Sequence, residues 1–233
     1  MLNSILSLTP DQARALDQYA ADCTTGLSPL LARHYQWTRD TFEDADRASS
    51  LLQAQWMMQR AQERRATRVL DVGCYTGLSA LAWYEATKQT GAEASTLYAA
   101  WKAFVSYGCE DRIRVVEARA EEALETLAGP FDLVFVDLEF SAYRPIVGQI
   151  LDRGLLADNG IILVDNVFAR GFVIGEARGN IDPAKLDHWK QSGQVVLDFN
   201  AFVAADPRVT VTIWPFFDGI AEIKLRGSER SSK

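Results

Sequence analysis

The sequence predicts an α/β fold, built as a doubly wound, mostly parallel sheet with helices on both faces. Short apolar runs rich in β-branched residues alternate with helical segments between residues 67 and 164, which is typical of buried parallel strands joined by crossover helices. Two further apolar runs near the C-terminus flank Asp218-Gly219, a pair that favours a hairpin turn. An antiparallel edge is therefore expected to close the sheet.

Composition limits the class of protein. The 233 residues are 48% hydrophobic and suffice for one domain over residues 1–233, with a helical annex over 1–66 and a core over 67–225. The balance of 31 acidic against 24 basic residues argues against a nucleic-acid surface. No apolar run approaches the roughly eighteen residues that span a membrane, and the first eight residues make a poor secretion signal. Three cysteines without metal-ligand spacing indicate a reducing, cytoplasmic setting.

The elements follow in order along the chain. Thr9-Pro10 is typical of a helix start, and a turn between Gly26 and Pro29 separates it from further helical segments. The predicted strands are Thr67–Val72, Ile113–Val116, Phe131–Val136, Ile161–Val164, Val209–Trp214 and Ile220–Leu225, with helices from Ser79, over Ala120–Leu127 and over Tyr143–Leu156. The polar, irregular stretch Gly171–Gly193 is predicted to be a substrate loop or lid.

A glycine-containing segment, Asp71–Ser79, lies at the first predicted strand-to-helix turn. Gly73 and Gly77 allow a tight turn and the close approach of a ligand to the backbone, and the helix start near Ser79 offers free N–H groups to an anion such as a carboxylate. The alternative is a glycine-lined turn without a ligand. The Gly-x-x-x-Gly spacing departs from the Gly-x-Gly-x-x-Gly pattern of dinucleotide sites.

Three oxygen-bearing residues follow two predicted strands. Asp137 follows Phe131–Val136, and Asp165 and Asn166 follow Ile161–Val164. All three are expected at the carboxyl ends of parallel strands, where folds of this class bind ligands. Two carboxylates and one amide oxygen suit a hard cation such as Mg²⁺. The alternative is that the two aspartates only cap the segments that follow them.

Other candidates are weaker. His34 and His188 have no nearby serine or cysteine motif that would indicate a nucleophilic triad. Cys74 lies near a helix start, where a thiol can be reactive, but a small buried residue explains it equally. The stretch Asp44–Arg47 is interpreted as a solvated turn, and the alternative is that its neighbour Arg47–Ser50 approaches the ligand cleft. Most of the tryptophans, Trp37, Trp56, Trp83 and Trp101, are assigned to the core.

Taken together, several segments resemble the cation-dependent O-methyltransferases of the catechol and caffeoyl-CoA types, which use S-adenosylmethionine. The segments that carry the resemblance are His34–Thr38, Arg68–Leu81, Phe131–Asp137, Gly160–Val167, Phe199-Asn200, Ala205–Val209 and Pro215–Gly219. The resemblance implies a seven-stranded Rossmann-like sheet with a reversed strand near the C-terminus. It implies a divalent cation on Asp137, Asp165 and Asn166, a small-molecule acceptor and a homodimer. The cofactor contacts it implies or suggests are Asp71, Gly73, Tyr75, Gly77, Ser79, Tyr98 and Asp137.

The sequence also departs from that family. An acidic residue normally ends the second strand and binds the cofactor ribose, whereas the strand expected near Ala94–Tyr98 ends without one, and Tyr98 offers only a hydroxyl. The family's lysine base corresponds to Phe140, which cannot take a proton, so Glu139 is the remaining candidate base. Two milder changes are Ala48 in place of a methionine and Asp71 in place of a glutamate.

Three functions remain open from sequence alone. The first is a Mg²⁺-dependent O-methyltransferase for a phenolic or other hydroxylated natural product. The second is an enzyme that uses the fold and the metal as a Lewis acid without methyl transfer, such as a cyclase or isomerase. The third is a non-catalytic relative that binds a metabolite or partner. The family pattern favours the first, the eroded cofactor and base positions favour the second, and the three retained metal positions argue against the third.

Overall fold

The computed structural model describes residues 8–26, 28–91, 93–97, 101–175 and 181–227. The chain divides into two units, Met1–Glu117 and Ala118–Lys233, so the single domain over residues 1–233 stays a prediction. Within the described ranges, no helix has the length and apolar character needed to cross a membrane.

Three helices lead the first unit: α1 (Pro10–Cys23), α2 (Pro29–Thr41) and α3 (Leu51–Glu63). Each follows a hydroxyl side chain that accepts a hydrogen bond from the backbone three residues later. Such a cap satisfies an N–H group that a helix otherwise leaves without a partner. At α1, Thr9 and Gln12 form a reciprocal capping box behind Pro10, which agrees with the helix start predicted from sequence.

The first unit also contains three parallel strands. These are β1 (Arg68–Val72), β2 (Glu93–Leu97) and β3 (Ile113–Val116), with α4 (Leu78–Ala86) after β1 and α5 (Trp101–Ser106) after β2. The strand order is β3-β2-β1, and both pairs are parallel. Leu70 of β1 and Leu81 and Trp83 of α4 are fully buried, so one face of the strands packs on α4.

The second unit contains four strands and three longer helices. These are α6 (Ala120–Thr126), β4 (Phe131–Val136), α7 (Phe140–Asp152), β5 (Leu156–Val164), α8 (Leu186–Ala205), β6 (Val209–Trp214) and β7 (Ile220–Leu225). The strand order is β4-β5-β7-β6, in which β4 and β5 are parallel and β7 runs antiparallel to both of its neighbours. The described residues thus contain seven strands, mostly parallel with β7 reversed, and the predicted fold class is confirmed.

One predicted helix is displaced along the sequence. It was expected over Tyr143–Leu156, but α7 begins at Phe140 and ends at Asp152. Gly154, with a φ of 60°, turns the chain out of the helix. The strand β5 then begins at Leu156, five residues before the predicted Ile161. Its first half has polar residues on exposed positions, which is why the apolar pattern marks only its second half.

The prediction of an irregular loop over Gly171–Gly193 is wrong for its last part. Residues 176–180 lie outside the described ranges, but α8 begins at Leu186 and includes Gly193. A Cβ atom on Gly193 would lie 2.5 Å from Cβ of Phe172. The glycine therefore permits close packing of α8 on the short 3₁₀ helix Ala169–Ile174, and does not mark a loop.

This packing predicts opposite effects for two helical glycines. Gly193→Ala should lower the free energy of unfolding by about 1–3 kcal/mol, because the added methyl overpacks against Phe172. Gly148→Ala in α7 is the matched control: its Cβ would meet only the Phe202 ring, at 4.0 Å, so the better helix propensity of alanine should raise stability by up to about 1 kcal/mol. Urea unfolding of both variants measures the difference, and two stabilised variants would contradict it.

Candidate functional site

The glycine-containing turn after β1 is a left-handed, tightly closed loop. Gly73, Tyr75 and Gly77 have φ angles of 93°, 45° and 103°, and the Gly77 N–H donates to the Cys74 carbonyl oxygen at 2.6 Å. A Cβ atom on Gly77 would lie 2.7 Å from the Phe104 ring, so this position has neither the conformation nor the space for a side chain. The loop leads directly into the N-terminus of α4, where backbone N–H groups can meet an anion.

Asp71 lies at the end of β1 and is completely buried. The Ser79 hydroxyl donates to its Oδ2 at 2.8 Å, and the Thr96 hydroxyl donates to the same atom at 3.4 Å. Burial raises the pKa of this carboxyl to about 7, while these two bonds and one from Trp83 lower it. Asp71 and Ser79 thus tie the strand end to the first turn of α4, and contact of either with a cofactor stays a prediction.

Side chains of α2 hold the glycine loop from outside. His34 Nε2 donates to the Thr76 carbonyl oxygen at 3.1 Å, and the hydroxyls of Thr38 and Thr76 lie 3.0 Å apart. Burial lowers the pKa of His34 to about 4, so the ring is neutral near pH 7. The sequence indicates no nucleophilic role for His34, and the structure gives it a structural one, the contact with the Thr76 backbone.

The turn Asp44–Arg47, interpreted from sequence as solvated, also reaches the loop. The Tyr75 hydroxyl donates to Asp44 Oδ1 at 2.5 Å, and the Arg47 guanidinium lies over the Tyr75 ring, 5.2 Å from its centroid. Burial first, and then the hydrogen bond and charge of Asp44, raise the pKa of Tyr75 to about 12. Asp44 and Arg47 are exposed, so the prediction of a solvated turn is confirmed. The contact with Tyr75, 31 positions away in the chain, is an addition that the local pattern does not predict.

In the part of the chain that the structure describes, no acidic residue lies at the carboxyl end of β2. Strand β2 ends at Leu97 and α5 begins at Trp101, and the sequence between them is Tyr98-Ala99-Ala100. Tyr98, a predicted cofactor contact, lies outside the described residues. The one acid of β2, Glu93, begins the strand, so the carboxyl end of β2 lacks the acidic residue expected there.

The predicted cation residues lie at adjacent strand ends in the second unit. Val136 and Val164 are partners in the parallel β4–β5 ladder, so Asp137 and Asp165 follow the two strands at the same edge. The Asp165 N–H donates to the Val136 carbonyl oxygen at 3.0 Å, which extends the ladder to these residues. Asp165 is 3% exposed, and its Oδ1 accepts the Asn166 N–H at 2.8 Å.

The buried side chain of Tyr143 lies near several carboxylates at this edge of the sheet. The Tyr143 hydroxyl donates to the Asp165 carbonyl oxygen at 2.9 Å. Burial first, and then three neighbouring carboxylates, raise the pKa of Tyr143 well above its usual value. The three carboxylates are Asp137, Asp165 and Asp218. Sequence reasoning missed Asp218 as a site residue, because the Asp-Gly pair was read only as a hairpin signal.

The donor set matches a hard divalent cation. Two carboxylates and an amide oxygen leave further positions for water or an acceptor, as Mg²⁺ requires. No group of three or more His, Cys, Asp or Glu side chains arranged for a metal occurs in the described part of the chain. The predicted cation site has only two such side chains, with the Asn166 amide as the third donor, so that finding does not test it.

A family model described as O-methyltransferase matches residues 45–225. The chain belongs to this family. O-methyltransferase ankF of Aspergillus thermomutatus is 36% identical, over 97% of this chain and 99% of that protein. O-methyltransferase hkm8 of Aspergillus hancockii is 31% identical, over 94% and 97%. The structure of the SAH-bound Podospora anserina methyltransferase PaMTH1 is 42% identical, covers 97% of this chain and 100% of that one, and superposes with a TM-score of 0.93.

The comparisons confirm the family and the Rossmann-like fold that the sequence resemblance implied. They also make this chain a methyltransferase-type enzyme.

In this O-methyltransferase, the position of the family's lysine base is part of an aromatic cluster. The Phe140 ring centroid lies 5.6 Å from that of Tyr143 and 6.1 Å from that of Trp189. Glu139 precedes α7, is exposed, and caps no backbone group with its side chain. Phe140 therefore contributes apolar packing, and Glu139 is the neighbouring residue whose carboxylate is exposed to solvent.

Proposed function

We propose that this chain transfers the methyl group of S-adenosylmethionine to a hydroxyl of a phenolic or other hydroxylated small molecule, with a divalent cation such as Mg²⁺. The observation that carries the proposal is the placement of Asp137, Asp165 and Asn166 at adjacent ends of β4 and β5, fixed by the bond from Asp165 N–H to Val136. The SAH-bound state of the PaMTH1 structure, at 42% identity, supports the choice of cofactor.

The glycine loop fits the methionine part of the cofactor. Gly73 has a left-handed φ of 93° and no side chain, so a ligand can approach its peptide groups. At Gly77 the space that a side chain would take is filled by the Phe104 ring. The N-terminus of α4 presents N–H groups to a carboxylate. The bonds from His34 and Thr38 to Thr76 keep the loop in this conformation, which lowers the ordering cost of binding.

The missing acid after β2 is expected to weaken cofactor binding. A charge-assisted hydrogen bond to a ribose hydroxyl contributes about 1.5–3 kcal/mol, so each lost bond costs roughly 10- to 150-fold in affinity. We therefore expect this chain to bind S-adenosylmethionine with a low but measurable affinity.

The reaction assigns a role to each residue near the strand ends. A divalent cation held here would supply a Lewis acid, which would lower the pKa of an acceptor hydroxyl. Asp137 and Asp165 provide the negative charge that holds such a cation, and Asn166 provides a neutral oxygen. The acceptor oxygen would bond to the methyl carbon as the carbon–sulfur bond breaks, which leaves S-adenosylhomocysteine, and the hydroxyl proton would pass to exposed Glu139 or to water. Phe140 contributes an apolar wall.

A second candidate is Lewis-acid chemistry without methyl transfer. The replacement of the family's lysine by Phe140, in contact with Tyr143 and Trp189, favours it, because the family's proton-transfer group is gone.

As partners we propose a small-molecule acceptor and a second copy of the chain, with no role for nucleic acid or a membrane.

Calorimetric titration with S-adenosylmethionine, with Mg²⁺ and with EDTA, separates these functions. Methyl transfer predicts measurable binding below millimolar cofactor, together with Mg²⁺-dependent formation of S-adenosylhomocysteine when a catechol is added. A monohydroxylated phenol serves as the matched acceptor control, because it offers the cation one oxygen in place of two. Mg²⁺ binding without cofactor binding up to millimolar concentration would reject methyl transfer and support the second candidate.

A further inference from the structure

Strand β6 lies at an edge of the sheet and lacks the features that usually protect such an edge. It is last in the order β4-β5-β7-β6 and pairs with β7 in a register without a bulge. Sheet edges are commonly protected by charged residues, proline or a bulge, because their free backbone groups can pair with another chain. The stretch Val209–Phe217 contains no charged residue, and its one proline, Pro215, follows the strand. Strand β6 is therefore open to pairing with a further strand.

The β6–β7 register identifies which backbone groups point away from the sheet. The Arg226 N–H donates to the Arg208 carbonyl oxygen at 2.7 Å, and these two residues continue the register in which Val209 lies opposite Leu225. Opposite residues of an antiparallel pair are hydrogen-bonded to each other at every second position. The even-numbered residues of β6 therefore direct their N–H and C=O groups to β7. The odd-numbered residues direct them outward, namely Val209, Val211 and Ile213.

Two of these three outward residues have all of their backbone groups available. The Val209 N–H donates to the Asp206 carbonyl oxygen at 3.3 Å, and the Val209 carbonyl oxygen accepts from the Arg226 guanidinium at 2.9 Å. Among the residues that the structure describes, none is hydrogen-bonded to the N–H or C=O of Val211 or Ile213. These four groups are here termed the open edge.

The open edge is complementary to a second copy of itself. When two such strands meet antiparallel about a two-fold axis at Thr212, Val211 of each copy lies opposite Ile213 of the other, and every group of both open edges is bonded. An axis at Val211 would place Ile213 opposite Val209, whose carbonyl oxygen already has a partner. An axis at Ile213 would place Val211 opposite Pro215, which has no N–H. One register therefore satisfies the whole open edge.

Charge and side chains favour a second copy of this chain as the occupant of the edge. The formal net charge is -7, so two copies repel each other least where both present an uncharged surface. Strand β6 is such a surface. Val211 and Ile213 lie on the same face of the strand, and Ile213 is 38% exposed. β-Branched side chains on neighbouring strands stabilise the pair of strands.

We propose that β6 is the interface between two copies of this chain, which pair antiparallel through the open edge with a two-fold axis at Thr212. The inference rests on the second copy proposed above as a partner and adds the surface through which it binds. Four backbone hydrogen bonds and two pairs of β-branched side chains make a small contact. The dimer is therefore expected to dissociate on dilution.

Cysteine cross-linking of the full chain tests the register. Cys23 is exposed, whereas Cys74 and Cys109 are buried, so Cys23→Ser is the background. In this background, Thr212→Cys should form a disulfide-linked dimer with oxidised glutathione. The two copies of residue 212 would lie about 4.5 Å apart at Cα, which is within the range of disulfides.

Thr210→Cys is the matched control, because Thr210 is also an exposed threonine on the same face of β6. Its two copies would lie four residues out of register, about 13 Å apart, and should not be linked. Linkage at 212 and not at 210 supports the proposal. Equal linkage at both positions, as in random collision or parallel pairing, would overturn it. So would stronger linkage at 210, or no linkage above the Cys23→Ser background.

Sedimentation velocity provides a second measurement without a cross-link. The wild type should shift from monomer to dimer as its concentration rises. Ile213→Lys should stay monomeric over the same range, because the two lysines would lie diagonally on one face of adjoining strands and add like charges to the edge. Ile174→Lys makes the same change at an exposed position outside β6 and should dimerise like the wild type. A monomer in both variants, or a dimer in both, would contradict the proposal.

These outcomes are distinguishable from failure of the proposed function. Neither measurement uses a cofactor, a cation or an acceptor, so neither result bears on methyl transfer. A wild-type dimer that Thr212→Cys does not link would overturn this interface and leave a second copy as a partner. A wild type that stays monomeric at every concentration would overturn both.

Discussion

Asp165→Asn is expected to lower the affinity for Mg²⁺ by about a hundredfold or more, with a matching loss of methyl transfer at fixed Mg²⁺. The substitution keeps the shape of the side chain and the acceptor for the Asn166 N–H. The Asp165 N–H and carbonyl, which bond Val136 and Tyr143, belong to the backbone and are unaffected. The change therefore removes one negative charge from a side chain that is 3% exposed.

Asp158→Asn is the matched control. It changes the same residue type on the same strand, β5, at an exposed position near the other end. It should leave Mg²⁺ affinity and turnover unchanged. If Asp165 acts through the cation, raising the Mg²⁺ concentration should restore part of the lost turnover in Asp165→Asn. Equal Mg²⁺ affinity in the wild type and Asp165→Asn, measured by calorimetry, would remove Asp165 from the cation site.

The fold was predictable because buried parallel strands leave a strong mark in sequence. The bounds of the buried parallel strand β4 over Phe131–Val136 agree with its apolar run to the residue. Those of the antiparallel hairpin strands β6 and β7 agree with their β-like runs as well. Their side chains must be apolar wherever they are buried, and the turn chemistry at each end stops the run. Where the first half of a strand contains exposed polar residues, as that of β5 does, the mark disappears and the predicted boundary shifts.

For the candidate site, the position of the strand-end residues was predictable and the supporting contacts were not. Asp137, Asp165 and Asn166 follow apolar strands, so their shared edge is implied by parallel pairing. Asp44 is hydrogen-bonded to Tyr75, 31 residues away, and Asp218 is hydrogen-bonded to Arg170, 48 residues away. No local periodicity records such pairs, since they depend on how separate elements pack.

Gly193 was misinterpreted for a related reason. A glycine in a polar stretch predicts a turn, whereas here it allows a helix to approach Phe172 closely. The local preference of glycine is the same in both cases, and the tertiary contact decides its use.

Asp71→Asn is expected to change how stability depends on pH. Burial raises the pKa of Asp71 to about 7 from 3.8 in the unfolded chain. The folded state therefore holds a proton that the unfolded state loses, and stability falls as pH rises from about 4 to about 7. At 1.36 kcal/mol per pH unit, the loss amounts to about 4 kcal/mol. Asparagine carries no titrating group, so above pH 7 the variant should be more stable than the wild type by an amount approaching that value.

His34 in the same unit has the opposite dependence and conceals that of Asp71. Burial lowers the pKa of His34 to about 4 from 6.5, so the unfolded state takes up the extra proton and stability rises between about pH 4 and 6.5. The two slopes cancel in the wild type over this interval. In Asp71→Asn, the His34 slope should appear alone, as a gain of about 3 kcal/mol from pH 4 to 6.5.

His34→Gln provides the mirror experiment, because glutamine can still donate to the Thr76 carbonyl oxygen that His34 Nε2 contacts. Its stability should fall over the same interval, since only Asp71 then titrates between the two states. Urea unfolding at half-unit steps from pH 4 to 8 measures all three curves. Parallel curves for the wild type and Asp71→Asn would show that Asp71 is ionised in the folded protein. The buried bonds from Ser79 and Thr96 would then have to outweigh the cost of its burial.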